Sequence, residues 1–207
     1  MEFSFDLNFI WFILIGILLG GYAILDGFDL GVGALHLLTK TDLNRRILLN
    51  SIGPVWDGNE VWLVTGGGAL FAAFPHVYAT SFSGFYVPFM LLLFFLIFRA
   101  VSIEMRSKQE MLWWRKMWDY LFSFSSIFIG FLMGVAIGNV IQGIPIGPDK
   151  EYAGGLLNLL NPYAILVGVT TVAAFMMHGA IYLVMKTDGE LQETVRGWVN
   201  NTIIFFV

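Results

Sequence analysis

Of 207 residues, 57% are hydrophobic and 13% charged, with a formal net charge of −4. A soluble domain carries about 25% charged residues, so the balance points to a chain whose solvent is lipid. The absence of cysteine excludes disulfides, thiolate metal sites, iron–sulfur ligation and c-type haem attachment by this chain. No basic groove for nucleic acid is present.

The first ten residues carry Glu2 and Asp6 and no Lys or Arg. A secretory signal needs a basic start and a small-residue cleavage site, so the first apolar segment is expected to be a permanent anchor. Five apolar segments follow in order: 9–35, 51–74, 77–99, 120–143 and 162–185. Each reaches the ~20 residues that a helix needs to cross the hydrocarbon core. A sixth starts near residue 199 and runs to Val207 without a second flank. The expected fold is therefore all-α, a polytopic transmembrane helical bundle with five full helices plus the start of a sixth. Residues 1–207 are expected to form a single transmembrane domain, the first half of a longer subunit. The segment 51–74 fits least well, because it holds Asp57, Asn59, Glu60 and the run Gly66-Gly67-Gly68. A re-entrant or protein-buried helix is the alternative there.

Basic residues set the expected orientation. Lys40, Arg45 and Arg46 follow the first segment. Arg99, Arg106, Lys108, Arg115 and Lys116 follow the third, and Lys186 and Arg196 the fifth. Lys150 alone lies on the other side. By the positive-inside rule the N-terminus is outside. The connection 100–120, with Trp113, Trp114 and Trp118, is expected to prolong the third helix and then lie in the interface. The connection 144–161 reads as a Pro/Gly turn region. Gly16 and Gly20, Gly27 and Gly31, and Gly130, Gly134 and Gly138 recur at four-residue spacing, which suits close packing of helix backbones in lipid.

Carboxylates inside such segments are expensive, roughly 2.5–3.5 kcal/mol each on insertion scales. Asp26 and Asp29 are three apart and share a face of the first helix, as do Asp57 and Glu60 on the second. The topology brings all four to the inner-leaflet side, with no Lys or Arg expected inside the bundle to neutralise them. Carboxyls that exchange protons there suit a proton relay. Asp57 follows Pro54 and could instead favour a helix dipole, and Glu60 could snorkel to the interface. His36 is expected at the interface, His76 in a loop, and His178 in an apolar helix. His178 is conceivable as a haem ligand, though hydrogen bonding to a neighbour is the commoner use of such a histidine. Trp56 and Trp62 lie too deep for routine belt residues. They are candidates for packing, a subunit contact or an oxygen route.

The run Asp26-Gly27-Phe28-Asp29-Leu30-Gly31-Val32-Gly33, together with Asn50-Ser51-Ile52-Gly53-Pro54-Val55-Trp56-Asp57-Gly58-Asn59-Glu60-Val61-Trp62, resembles subunit II of the cytochrome bd-type quinol oxidases. The likeness continues through Gly67-Gly68-Ala69-Leu70-Phe71-Ala72-Ala73-Phe74-Pro75, Phe82-Ser83-Gly84-Phe85-Tyr86 and Arg106-Ser107-Lys108. It closes on Gly138-Asn139-Val140-Ile141-Gln142-Gly143, Leu159-Leu160-Asn161-Pro162 and His178-Gly179. The resemblance implies a partner, subunit I, that holds b- and d-type haems and the quinol site, with small accessory membrane subunits as further candidates. It implies a bacterial or archaeal cytoplasmic membrane, oxidation of quinol and reduction of dioxygen. Asp57 then corresponds to a proton-path aspartate, Asp26 to a second acidic position near it, and Trp62 to a tryptophan on an oxygen route. This chain is expected to ligate no cofactor and to deliver protons, with Asp29 and Glu60 as helpers. A redox-independent proton-coupled transporter or channel is the rival reading, and a pure assembly scaffold a third.

Overall fold

The computed structural model describes residues 6–207; Glu2 lies outside them. Eight α-helices follow in order: α1 (Leu7–Leu35), α2 (Asp42–Ile52), α3 (Trp56–Ala73), α4 (Pro75–Gly84), α5 (Tyr86–Met105), α6 (Leu112–Gln142), α7 (Pro162–Lys186) and α8 (Gly189–Phe206). Short 3-10 turns at His36–Leu38 and Arg106–Lys108 prolong α1 and α5, and a third spans Leu156–Leu160. The all-helical expectation holds among the described residues.

Local chemistry sets most helix starts. The Asp6 carboxylate accepts from the Phe9 backbone N–H at 2.8 Å, and Thr41 caps α2 through Asn44 N–H. Asn161 accepts from Ala164 N–H at 2.8 Å, with Pro162 in the first turn of α7. Each side-chain oxygen satisfies a donor that the helix leaves free. Gly143 ends α6 at φ +89, a backbone conformation that favours glycine.

Several boundaries differ from those read in the sequence. The segment 51–74 is interrupted by the turn at Gly53-Pro54-Val55, and α3 starts only at Trp56. Segment 77–99 is two helices, α4 and α5, that meet at Phe85. A break also falls at Phe74, where the following Pro75 disfavours helical backbone. The interfacial connection is shorter than expected: α5 runs on to Met105, and α6 begins at Leu112 rather than near residue 120. Four helical stretches are long and apolar enough to cross a membrane: Leu7–Leu38, Tyr86–Lys108, Leu112–Gln142 and Pro162–Lys186. That is one fewer than the five expected, and α3, with its acidic first turns, is not among them. Gly66 is the only α3 residue buried within this chain.

α7 is central, packed against α1, α6 and α8, while α5 packs on α6 and α3 on α1. At the end of the bundle that carries α2, a core of Leu35, Leu48, Ile52, Phe122, Leu183 and Val195 joins five helices. Elsewhere large apolar side chains face outward, among them Phe12, Ile24, Phe94 and Leu166, as a lipid-solvated surface requires. The connection between α6 and α7 is tied down by asparagines. Asn139 Nδ2 donates to Leu159 O at 2.7 Å, and Asn161 Nδ2 donates to Asn139 Oδ1 at 3.0 Å.

The glycine reading holds for the inner positions and fails for two outer ones. α1 and α7 cross backbone to backbone at Gly31 and Gly179, and the Phe175 ring fills the space beside Gly27 and Gly130. Gly16 and Gly20 face open space within this chain. A methyl at Gly31 would collide with the Phe175 carbonyl. Gly31→Ala should therefore destabilise the bundle by about 1–3 kcal/mol, while Gly16→Ala should be neutral. Thermal unfolding of the detergent-solubilised protein checks both, and equal behaviour of the two variants would contradict the crossing.

Candidate proton-path site

Asp26 and Asp29 lie on α1 with no exposed surface, one turn apart on the face that also carries the buried Tyr22. Arg99 of α5 meets Asp26 end-on. Its two terminal nitrogens donate to the two carboxylate oxygens at 2.8 and 2.5 Å, and both side chains are fully buried. This corrects the expectation that no basic residue sits inside the bundle. Because α5 continues past residue 99, Arg99 lies six residues before the helix end, about 9 Å deeper than a loop position would be. Two-point pairing of a guanidinium with a carboxylate is among the strongest of side-chain contacts. It assigns Asp26 a fixed partner.

Asp29 is held differently. Asn59 of α3 donates from Nδ2 to Asp29 Oδ2 at 2.7 Å and to Leu25 O at 3.0 Å. Asp29 Oδ1 is buried without a hydrogen-bond partner within the chain. Glu60 is half-buried and lies within charge–charge range of Arg99, Asp26 and Asp57. Asp57 itself is exposed in the first turn of α3. The structure thus brings Asp26, Asp29 and Glu60 together around Arg99, and places Asp57 at the rim with its side chain outside the chain's own core. The helix-dipole use of Asp57 is compatible with this position, since the head of α3 lacks a side-chain cap.

The tryptophans divide. Trp62 lies against α1, where a Cβ at Gly21 would sit 2.6 Å from Trp62 Cε3, so packing within the chain occupies it. Trp56 is half-buried at the start of α3. His178 Nε2 faces Ile24 O at 3.0 Å. A carbonyl can only accept, so Nε2 carries the proton and Nδ1 the lone pair. The hydrogen-bonding alternative therefore describes His178.

A second polar centre was missed in the sequence. His36, expected at the interface, is fully buried and meets Asp119 Oδ1 at 2.6 Å through Nε2. Asp119 of α6 also accepts from Arg106 Nε at 2.5 Å and Arg45 at 2.9 Å. Arg106 and Arg115 in turn both reach Asp42 at the head of α2. One carboxylate thereby ties the ends of α1 and α5 and helix α2 to α6. The sequence signal was faint, consisting of Asp119 within an otherwise aromatic and apolar stretch.

Among the described residues no group of three or more His, Asp or Glu could hold a metal ion. Each histidine has another use on geometry: His178 donates from Nε2 to Ile24 O, His36 meets Asp119 through Nε2, and His76 is exposed at the head of α4. No haem step is therefore assigned to residues of this chain.

An all-helical membrane bundle with carboxylates and an arginine inside it defines a class of proteins that handle charge within the bilayer. The family model for "Cytochrome bd terminal oxidase subunit II" matches residues 7–207, and the chain belongs to that family. It is 50% identical over 195 residues to the cytochrome bd-I ubiquinol oxidase subunit 2 of Escherichia coli, covering 92% of this chain and 52% of the relative. It is 44% identical over 192 residues to the cytochrome bd ubiquinol oxidase subunit 2 of Bacillus subtilis, covering 92% and 57% respectively. The chain thus spans about half the length of the curated relatives it matches. Among solved structures, the bd oxidase from Geobacillus thermodenitrificans superposes with TM-score 0.81 at 19% identity, over 96% of this chain and 61% of that one. That likeness supports the fold.

Removing one member of the Arg99–Asp26 pair leaves a lone buried charge, which costs roughly 3–5 kcal/mol. Arg99→Leu should therefore unfold at lower temperature, and adding Asp26→Leu to it should recover most of the loss. A double variant no more stable than Arg99→Leu would show that the two charges do not depend on each other.

Proposed function

We propose that this chain is part of the second subunit of a membrane quinol oxidase, and that it carries protons from the cytoplasm towards an oxygen-reducing haem in subunit I. The carrying observation is the inward series of carboxyls. Asp57 is exposed at the head of α3, Glu60 is half-buried one turn on, and Asp29 is fully buried on α1. The positive-inside distribution supports a cytoplasmic location for the mouth of this series. Asp26 enters as the partner of Arg99 rather than as a carrier, because both of its oxygens are taken up by the guanidinium.

A partner surface is part of the proposal. Asp57, Val61, Val64, Gly68 and Phe71 form one exposed stripe of α3 at helical spacing. The apolar members of this stripe are covered if subunit I packs there, with Asp57 at its cytoplasmic end left open to water. Haem and quinol are bound outside this chain, which supplies carboxyls, their spacing and the fixed arginine. Small accessory subunits are compatible with the remaining apolar surface.

The purified complex should show a second large subunit and visible haem absorbance. A colourless single-subunit preparation would favour the transporter reading instead. In that complex, Asp57→Asn should reduce quinol oxidase turnover by about a hundred- to ten-thousandfold, the range of a lost proton-transfer group, with haem content retained. Unchanged turnover removes Asp57 from the path, and loss of haem together with the subunits would favour the scaffold reading.

A further inference from the structure

Asn59 is the one α3 side chain that binds α1 through hydrogen bonds. An amide NH2 has two protons to give; here one goes to the Leu25 carbonyl at 3.0 Å and the other to Asp29 Oδ2 at 2.7 Å. Beyond Asn59, Trp62 rests against Gly21 and Leu19 against Gly66, so the α3 seam on α1 runs 59, 62, 66. Only Gly66 of this helix is fully buried, which leaves Asn59 as the polar fixture of a lightly packed element.

We infer that Asn59 is a positioning residue, whose bridge to Leu25 and Asp29 fixes Oδ1 as the oxygen at which Asp29 takes and releases its proton. Asn59 presents donors to Oδ2, so Oδ2 must accept. A proton on Asp29 then sits on Oδ1, the oxygen with no partner within the chain. Glu60, next in sequence to Asn59, lies within charge–charge range of Asp29, so the same helix turn that anchors the acceptor oxygen presents the neighbouring carboxyl. Rotation of the Asp29 carboxyl would exchange the two oxygens, and the bond to Asn59 opposes it. The inference rests on the reading of Asp29 as a proton carrier and adds to it the orientation of the group.

The test is redox-difference infrared spectroscopy of the assembled oxidase. A band of protonated carboxyl that disappears in Asp29→Asn is assigned to Asp29. In Asn59→Leu, which keeps the volume and removes both donors, that band should move to higher wavenumber, because its carbonyl oxygen has lost a hydrogen bond. Turnover should fall roughly ten- to a hundredfold, as expected for a reacting group turned away from its partner, while haem content stays unchanged. Asn59→Gln, which restores an amide, should move the band back and recover part of the turnover. A band that stays in place in Asn59→Leu overturns the role of Asn59 while leaving the proton path standing. Absence of any carboxyl band that Asp29→Asn removes overturns Asp29 as a carrier, and the inference with it. Failure of both Asn59 variants to assemble makes the residue a packing tie and also overturns the positioning role.

Discussion

A guanidinium and a carboxylate locked together inside an apolar bundle are the constraint around which the rest of this structure is arranged. Neither charge can leave: Arg99 and Asp26 have no exposed surface, and each is the other's main stabiliser. The pair sets the depth at which α5 meets α1. It also places a permanent positive charge next to Asp29 and Glu60. Without it, two further carboxyls at that depth would face only one another. With it, a guanidinium stands beside them, although Asp26 already balances its charge.

The two ends of the bundle solve separate problems. Inside, polarity is sparse, and Asp26, Asp29 and Asn59 are each matched to one or two partners. At the α2 end, Asp119 collects His36, Arg45 and Arg106 at once, and Asp42 extends the array to Arg115. That network joins elements distant in sequence and holds α2, whose end leads through Gly53-Pro54 into α3. The position of Asp57 thus depends on contacts far from it. The close crossing at Gly31 and Gly179 plays the corresponding part between α1 and α7, where approach distance decides the packing beside the single bond from His178 to Ile24 O.

Much of the helical layout could be read from the residues, because apolar length, asparagine and aspartate caps, and proline breaks are local signals. Asp6, Asn161 and Pro162 act as their residue types suggest. The acidic positions were legible for a related reason: a carboxylate in an apolar run stands out whatever surrounds it. Partners were not legible. Arg99 sits at the end of an apolar run, and only the continuation of α5 through Met105 reveals that it is inside. Asn59 attracts no notice beside Asp57 and Glu60, since its importance comes from two acceptors on another helix. His36 was misread because its burial depends on Asp119, 83 residues away. Pairing across helices is a long-range property, and periodicity carries no trace of it.

The burial of the four carboxyls follows a physical order that sequence spacing alone does not express. Asp57 is open, Glu60 half-covered, Asp29 closed, and Asp26 closed and paired. A proton moving along the proposed route would pass from groups that water can charge to one that only neighbours can. Asp26 is set apart from the other three by its two-point contact with Arg99. A row of identical free carboxyls would instead share protons diffusely. The series runs from open to closed, and the member held by Arg99 marks its inner end.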